Sequence, residues 1–127
     1  MYTFKKEERL CNKKLIEQLF HNGSSFLCYP FKASWLVVEN PSRFPAKIVF
    51  SVSKKRYKRA VDRNLIKRRM REAYRIYKQE YLYDVLRSSN KQIIFSVGYI
   101  GKEISGYDFT DRKMQKLLIQ LCAEINR

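Results

Sequence analysis

The 127 residues include one histidine, His21, and it falls at the end of a helical pattern. A single imidazole there suits a surface or capping role better than metal ligation or general-base work, each of which needs further groups around it. Cysteine is also scarce. Cys11, Cys28 and Cys122 are odd in number, scattered and without a CxxC pair, which excludes a disulfide framework and fits packing residues in a reducing compartment. The glycines Gly23, Gly98, Gly101 and Gly106 are too separated to cradle a phosphate, and the last three are spaced to shape one long turn. No GxSxG, HExxH, Walker A or GxGxxG sequence occurs. Acids are few, 12 against 27 Lys and Arg. Among them Glu7, Glu8, Asp62, Glu72, Asp84 and Glu103 show no paired spacing that assembles a two-metal nuclease centre. Together these gaps remove nearly all the usual hydrolytic routes and point to a binding protein. No apolar run approaches the roughly 18 residues of a membrane span, and MYTFKKEERL lacks the apolar stretch of a signal peptide. A cytoplasmic protein with no membrane partner is expected.

What the chain has is a core and concentrated positive charge. With 45% hydrophobic and 14% aromatic residues, the chain (1–127) reads as one domain, too apolar for intrinsic disorder. Eleven of the 27 cations lie in a 22-residue window, Lys54 to Arg75, KKRYKRAVDRNLIKRRMREAYR. Its only acids are Asp62 and Glu72, so it carries +9 of the formal +15. Charge so concentrated repels itself and costs stability unless a polyanion binds, and nucleic acid is the commonest cellular polyanion with regularly spaced charge.

The window has helical periodicity. Ile66, Met70, Ala73, Tyr77 and Tyr81 step by three or four and form an apolar stripe, while Asn64, Lys67, Arg68, Arg71, Arg75 and Lys78 form a cationic row beside it. Like charges at these spacings destabilise an isolated helix, which favours a bound ligand over simple solvation. Asp62 as cap, and a start near Lys58 with the acid in the first turn, both fit.

The rest alternates. Leu10, Leu15, Ile16, Leu19 and Phe20 predict a helix from about Glu7 to His21, ended by Asn22-Gly23. Phe31 to Val38 reads as a strand broken by a turn at Asn40-Pro41-Ser42, and Ala46 to Ser53 as a second strand. After the basic helix and Ser88-Ser89-Asn90, Gln92 to Val97 is a third strand ended by Gly98. A last helix spans about Asp111 to Ile125, with Met114, Leu117, Leu118, Leu121 and Ile125 on one face and Thr110 or Asp111 as cap. The order is αββαβα, and the second and third strands are joined by a βαβ-type crossover.

Phe50-Ser-Val-Ser-Lys-Lys55, then Ala60-Val61, Arg63-Asn64, Lys67-Arg68 and Arg71-Glu72-Ala73-Tyr74 resemble the RNR signature of the bacterial ribonuclease P protein component. Arg9-Leu10 and Leu19-Phe20 with Gly23 resemble the family's first helix and its end. The chain is thereby identified as a member of that family. The resemblance implies an α+β fold, a compact α/β sandwich with a left-handed βαβ crossover, against the usual hand. It also implies the protein subunit of a ribonucleoprotein endonuclease that removes the 5′ leader from precursor tRNA, the RNA doing the chemistry. The partners implied are the catalytic RNA and precursor tRNA, with one protein monomer per RNA. The protein alone is expected to bind no cofactor, and Mg²⁺ is expected for the holoenzyme.

Carried over to this sequence, the RNA-binding residues are Arg63, Asn64, Lys67, Arg68 and Arg71, extended by Lys54, Lys55, Arg56, Lys58, Arg59 and Arg75. Arginine suits this task because its planar fork holds a phosphate bidentately. Phe20, Phe31 and Trp35 are the candidates for a leader cleft, with ordinary core packing as the alternative for each. Ile16 and Ser34 stand where an aromatic is common, Leu65 stands where an arginine is frequent, and one extra residue lies between Lys55 and Ala60. A structural RNA-binding protein, as in the ribosome, and a nuclease acting alone are the rival readings.

Overall fold

The structure, a computed structural model, describes residues 4–39 and 43–127. The turn read at Asn40-Pro41-Ser42 lies outside them. A 3-10 turn, Lys6–Glu8, precedes helix α1 (Lys13–Asn22) and strands β1 (Ser24–Cys28), β2 (Phe31–Val38) and β3 (Ala46–Val52). Helix α2 (Ala60–Lys78) runs through a π-helical stretch, Gln79–Tyr83, into α3 (Asp84–Ser88), and strand β4 (Gln92–Tyr99) and helix α4 (Tyr107–Ile125) follow.

The four strands form one sheet in the order β1-β2-β4-β3, antiparallel except for the parallel β3–β4 pair. Adjacent parallel strands cannot be joined by a tight turn, so the chain from β3 to β4 passes through α2 as the spacing predicts. On one face of the sheet Phe31, Ala33, Ile48, Phe95 and Val97 pack with Ile66, Met70, Ala73 and Tyr74 of α2 and with Leu117, Leu118 and Leu121 of α4. On the other face a smaller cluster of Leu10, Leu19 and Ile94 gathers Leu15, Ile16, Leu36 and Val49 under α1. The expected α+β sandwich is the observed fold.

The differences have local causes. β1 was not legible, because Ser24, Ser25 and Leu27 are exposed and this short edge strand buries little to signal a period. The first helix starts at Lys13 rather than near Glu7: Asn12 Oδ1 accepts from the Lys14 N–H at 2.9 Å and caps it there. After the 3-10 turn the chain is extended at Arg9, which is bridged to Ile48, and the Leu10 N–H donates to the Ile48 carbonyl at 2.8 Å. Gly23 is required at the helix end, since a Cβ there would sit 2.4 Å from the Leu19 carbonyl oxygen and 2.9 Å from that of Trp35. α2 begins at Ala60, so Asp62 is a first-turn acid and not the cap. β4 runs through Gly98, and α4 begins at Tyr107 behind Gly106, leaving Thr110 buried within the helix. Of the cysteines, Cys122 is buried and Cys28 half-buried, whereas Cys11 is exposed and packs no core.

Candidate nucleic-acid interface

The cationic row on α2 divides in three. Asn64, Arg68 and Arg71 are exposed and Lys67 half-exposed, and among the described residues none of the four has a hydrogen bond or ion pair. Arg75 is held by Glu72 one turn back, its Nε donating at 3.2 Å. Lys78, read as the last member of the row, is 2% exposed and points inward. A stripe defined by angle alone cannot distinguish a surface cation from one turned into the core by a buried acid.

That acid is Glu8. Its Oε1 accepts from the Lys78 ammonium and, at 2.6 Å, from the Tyr83 hydroxyl, and its Oε2 accepts from the Lys5 N–H at 2.6 Å. Burial pushes the Glu8 carboxyl up, but these three donors outweigh it and hold it below the usual carboxylate range. Burial also pulls the Lys78 ammonium below the ordinary lysine value, with Glu8 opposing it. Phe4 packs edge-on against Phe50 and Tyr74, with the Lys78 ammonium 5.3 Å from its ring centre. The amino-terminal arm is thus fastened to the end of α2 by a buried ion pair that no sequence period reveals.

The fastened arm builds a wall. Phe4, Arg9 and Cys11 face Val49 and Phe50 of β3 and Lys67 and Arg71 of α2 around a pocket of about 270 Å³. Cations from two elements converge there beside half-buried rings, an arrangement able to hold a phosphate with its attached base.

At the other end of α2, the side chains of Lys54, Lys55, Lys58 and Arg59 are exposed and have no protein partner among the described residues. Two neighbours instead fix the turn. Arg63 donates to the Tyr57 and Lys58 carbonyls at 2.8 and 2.9 Å, and Arg56 to the Ile100 carbonyl. Arg63 therefore shapes the basic turn, and Arg56 anchors it.

The cleft candidates separate by strand parity. Phe31 is fully buried, and Trp35, half-buried on the same face, packs on the core beneath α4. Neither faces α1, so both leave the list of cleft residues. Phe20 stays, 63% exposed at the end of α1. The face on the α1 side carries the opposite residues in register: Ser25, Ser34, Ser96 and Val49 in one row, then Leu27, Lys32, Gly98 and Ser51. Helix α1 covers Leu36 and Ile94 but leaves Ser25, Leu27, Lys32 and Ser51 exposed, so a shallow floor of mostly small and polar side chains, with Leu27 among them, lies open on the side of the sheet that carries α1 and Phe20.

Residues 4–119 match the profile of the family described as Ribonuclease P. The chain belongs to that family. The ribonuclease P protein component of Porphyromonas gingivalis is 32% identical over 126 residues, covering 98% of this chain and 90% of that protein. The component of Chlorobium phaeobacteroides is 35% identical over 125 residues, covering 91% and 86%. Among solved structures, the RNase P protein of Staphylococcus aureus superposes with a TM-score of 0.66 at 22% identity over 91% of this chain and 95% of that one. The Thermotoga maritima protein gives 0.67 at 22% over 89% and 96%. Membership makes this chain a subunit of an endoribonuclease that acts in tRNA processing and associates with the ribonuclease P RNA. The ribosomal alternative is not favoured.

No helix among the described residues is long and apolar enough to cross a membrane. The described residues bring no three His, Cys, Asp or Glu side chains together as a metal site, and the cationic face does not fit a protein-held Mg²⁺.

Proposed function

We propose that Asn64, Lys67, Arg68 and Arg71, with the Lys54–Arg59 turn, grip phosphates of the catalytic RNA, and that the open sheet floor on the side of α1 and Phe20 holds the single-stranded 5′ leader of precursor tRNA. The observation that carries this reading is the set of unpaired cations on one face of a rigid, core-packed helix. Such cations need no rearrangement to meet phosphates, and each displaces a condensed counterion on contact. Arg68 and Arg71 offer forks for bidentate phosphate contacts, Lys67 a point charge, and Asn64 a neutral donor and acceptor for ribose or phosphate. The protein positions and neutralises, the RNA cuts, and the Mg²⁺ resides on the RNA. One protein per RNA in the cytoplasm completes the proposal.

Mixing the purified protein with ribonuclease P RNA and precursor tRNA at low magnesium tests it. Protein alone is expected to leave the precursor intact, and the mixture to cut once at the mature 5′ end faster than RNA alone. Specific cleavage by RNA-free protein, persisting after removal of contaminating nuclease, would place the chemistry in the protein instead.

Phe20 supplies a separate check. Phe20→Ala is expected to change stability by no more than about 0.5 kcal/mol, because the ring is exposed. It is expected to weaken precursor binding by roughly 1–3 kcal/mol while leaving mature tRNA, which has no leader, unaffected. Equal losses for both tRNAs in the reconstituted enzyme would move the leader off this ring.

A further inference from the structure

A second aromatic and cationic groove lies where β4 ends, on the side of the sheet that carries α2 and α4. The β1–β2 turn contributes Tyr29, 56% exposed, and the loop to α4 contributes Lys102, Glu103 and Ile104. Phe109, in the first turns of α4, closes a groove of about 520 Å³. Its ring has the Arg112 guanidinium 5.9 Å and the Lys113 ammonium 5.5 Å from its centre.

This groove is built rather than loose. The buried Tyr99 hydroxyl accepts from the Ser105 N–H at 3.0 Å and bonds the Ser105 hydroxyl at 2.7 Å. Arg69 of α2 donates to the Ser105 carbonyl at 2.6 Å. The Tyr57 hydroxyl donates to the Gly101 carbonyl at 2.6 Å, and Arg56 reaches the Ile100 carbonyl. Tyr29 in turn accepts from the Lys102 N–H at 3.4 Å. The loop is therefore held by the same basic turn and the same helix that present the phosphate-binding cations. Exposed rings beside cations are the usual means of holding an unpaired base: the ring stacks, the ammonium or guanidinium meets the flanking phosphate, and sequence matters little.

We propose that this groove receives an unpaired segment of the catalytic RNA, a base stacking on Tyr29 with Phe109 behind it and the adjoining phosphates meeting Lys102 and Lys113. The inference rests on the proposed binding of that RNA to α2 and extends its footprint around the end of the sheet. Catalytic RNA is assigned rather than leader because the groove is tied to α2 and the basic turn, whereas the floor on the side of α1 and Phe20 is on the opposite face of the sheet.

The test uses the full chain with catalytic RNA, precursor tRNA and mature tRNA, in four variants. Tyr29→Phe keeps the ring and is expected to bind the RNA as the unaltered protein does, whereas Tyr29→Leu, apolar but unable to stack, is expected to bind about tenfold more weakly. Lys102→Ala is expected to reduce the slope of log K against log salt by up to about one. Because Lys102 is exposed, that measurement stands even if Tyr29→Leu fails to fold. Arg68→Ala serves as the reference for the underlying reading. If Arg68→Ala weakens binding while Tyr29→Leu and Lys102→Ala match the unaltered protein, the groove is not a contact and only this inference fails. If Arg68→Ala also has no effect, the reading of α2 fails with it. A loss confined to precursor over mature tRNA would assign the groove to the leader and overturn the assignment made here.

Discussion

Glu8→Ala is expected to lower the unfolding free energy by about 3–5 kcal/mol, because it leaves the Lys78 ammonium buried without its counter-charge. Lys78 is 2% exposed and Glu8 1%, so water cannot replace the missing partner without opening the arm. The Tyr83 hydroxyl and the Lys5 N–H lose their acceptor in the same step. Replacing both charges, as in Glu8→Leu with Lys78→Met, is expected to recover much of the loss, since an apolar pair leaves no uncompensated charge. Urea unfolding of the two single variants and the double variant reads this directly. Single-variant losses below about 1 kcal/mol would mean that the pair does not hold the arm. The pair also imposes a pH dependence. The folded Glu8 carboxyl is depressed below its ordinary value of 4.5, so its contribution is fully present above that pH and is lost as pH falls through the folded value. In Glu8→Gln that part of the acid destabilisation is expected to vanish. Because the arm carries Phe4 and Arg9 into the pocket beside Lys67 and Arg71, loosening it is expected to weaken RNA binding without touching α2.

The helical and strand periods were strong signals where one face was buried against a core. Ile66, Met70 and Ala73 on α2, and Met114, Leu117 and Leu121 on α4, lie in the core as their spacing predicts. So do Ile48 and Val52 of β3. Signals failed where long-range contacts decide. Nothing local marks Glu8 as a core residue, and its partner Lys78 lies 70 positions away. β1 is a strand because β2 pairs with it, not because Ser24–Cys28 alternates strongly. Phe31 and Trp35 carry a parity signal: both alternate in phase with Ala33, the core-facing position, whereas Lys32 and Ser34 face the α1 side. The RNR residues were readable as a row, but which of them bond the protein itself was not. Arg63 reaches back to two carbonyls of its own turn, a contact set by how the chain enters α2. The hand of the crossover is implied by family resemblance and by no period in the residues.

The variant Lys67→Ala, Arg68→Ala, Arg71→Ala combined is expected to lose RNA affinity far more than it loses stability. None of the three side chains has a protein partner among the described residues, and Arg68 and Arg71 are exposed, so their removal opens no cavity and strands no charge. Removing like charges spaced three and four apart relieves repulsion along α2, and unfolding is expected to stay within about 1 kcal/mol of the unaltered protein. Binding is different. With a counterion released per phosphate contact at about 0.7–0.9 per decade of salt, three contacts contribute a slope of roughly 2–3, or on the order of a few hundredfold in affinity at about 0.1 M salt. Arg63→Ala is the contrasting variant, expected to disturb the basic turn and to change stability as well as affinity.

The measurement that bears most directly on the cationic face is the salt dependence of catalytic-RNA binding for the unaltered protein and this triple variant, with thermal unfolding alongside. The prediction is a slope shallower by roughly 2–3 in a protein that folds normally. An unchanged slope in a folded triple variant would contradict the assignment and show that these cations face only water.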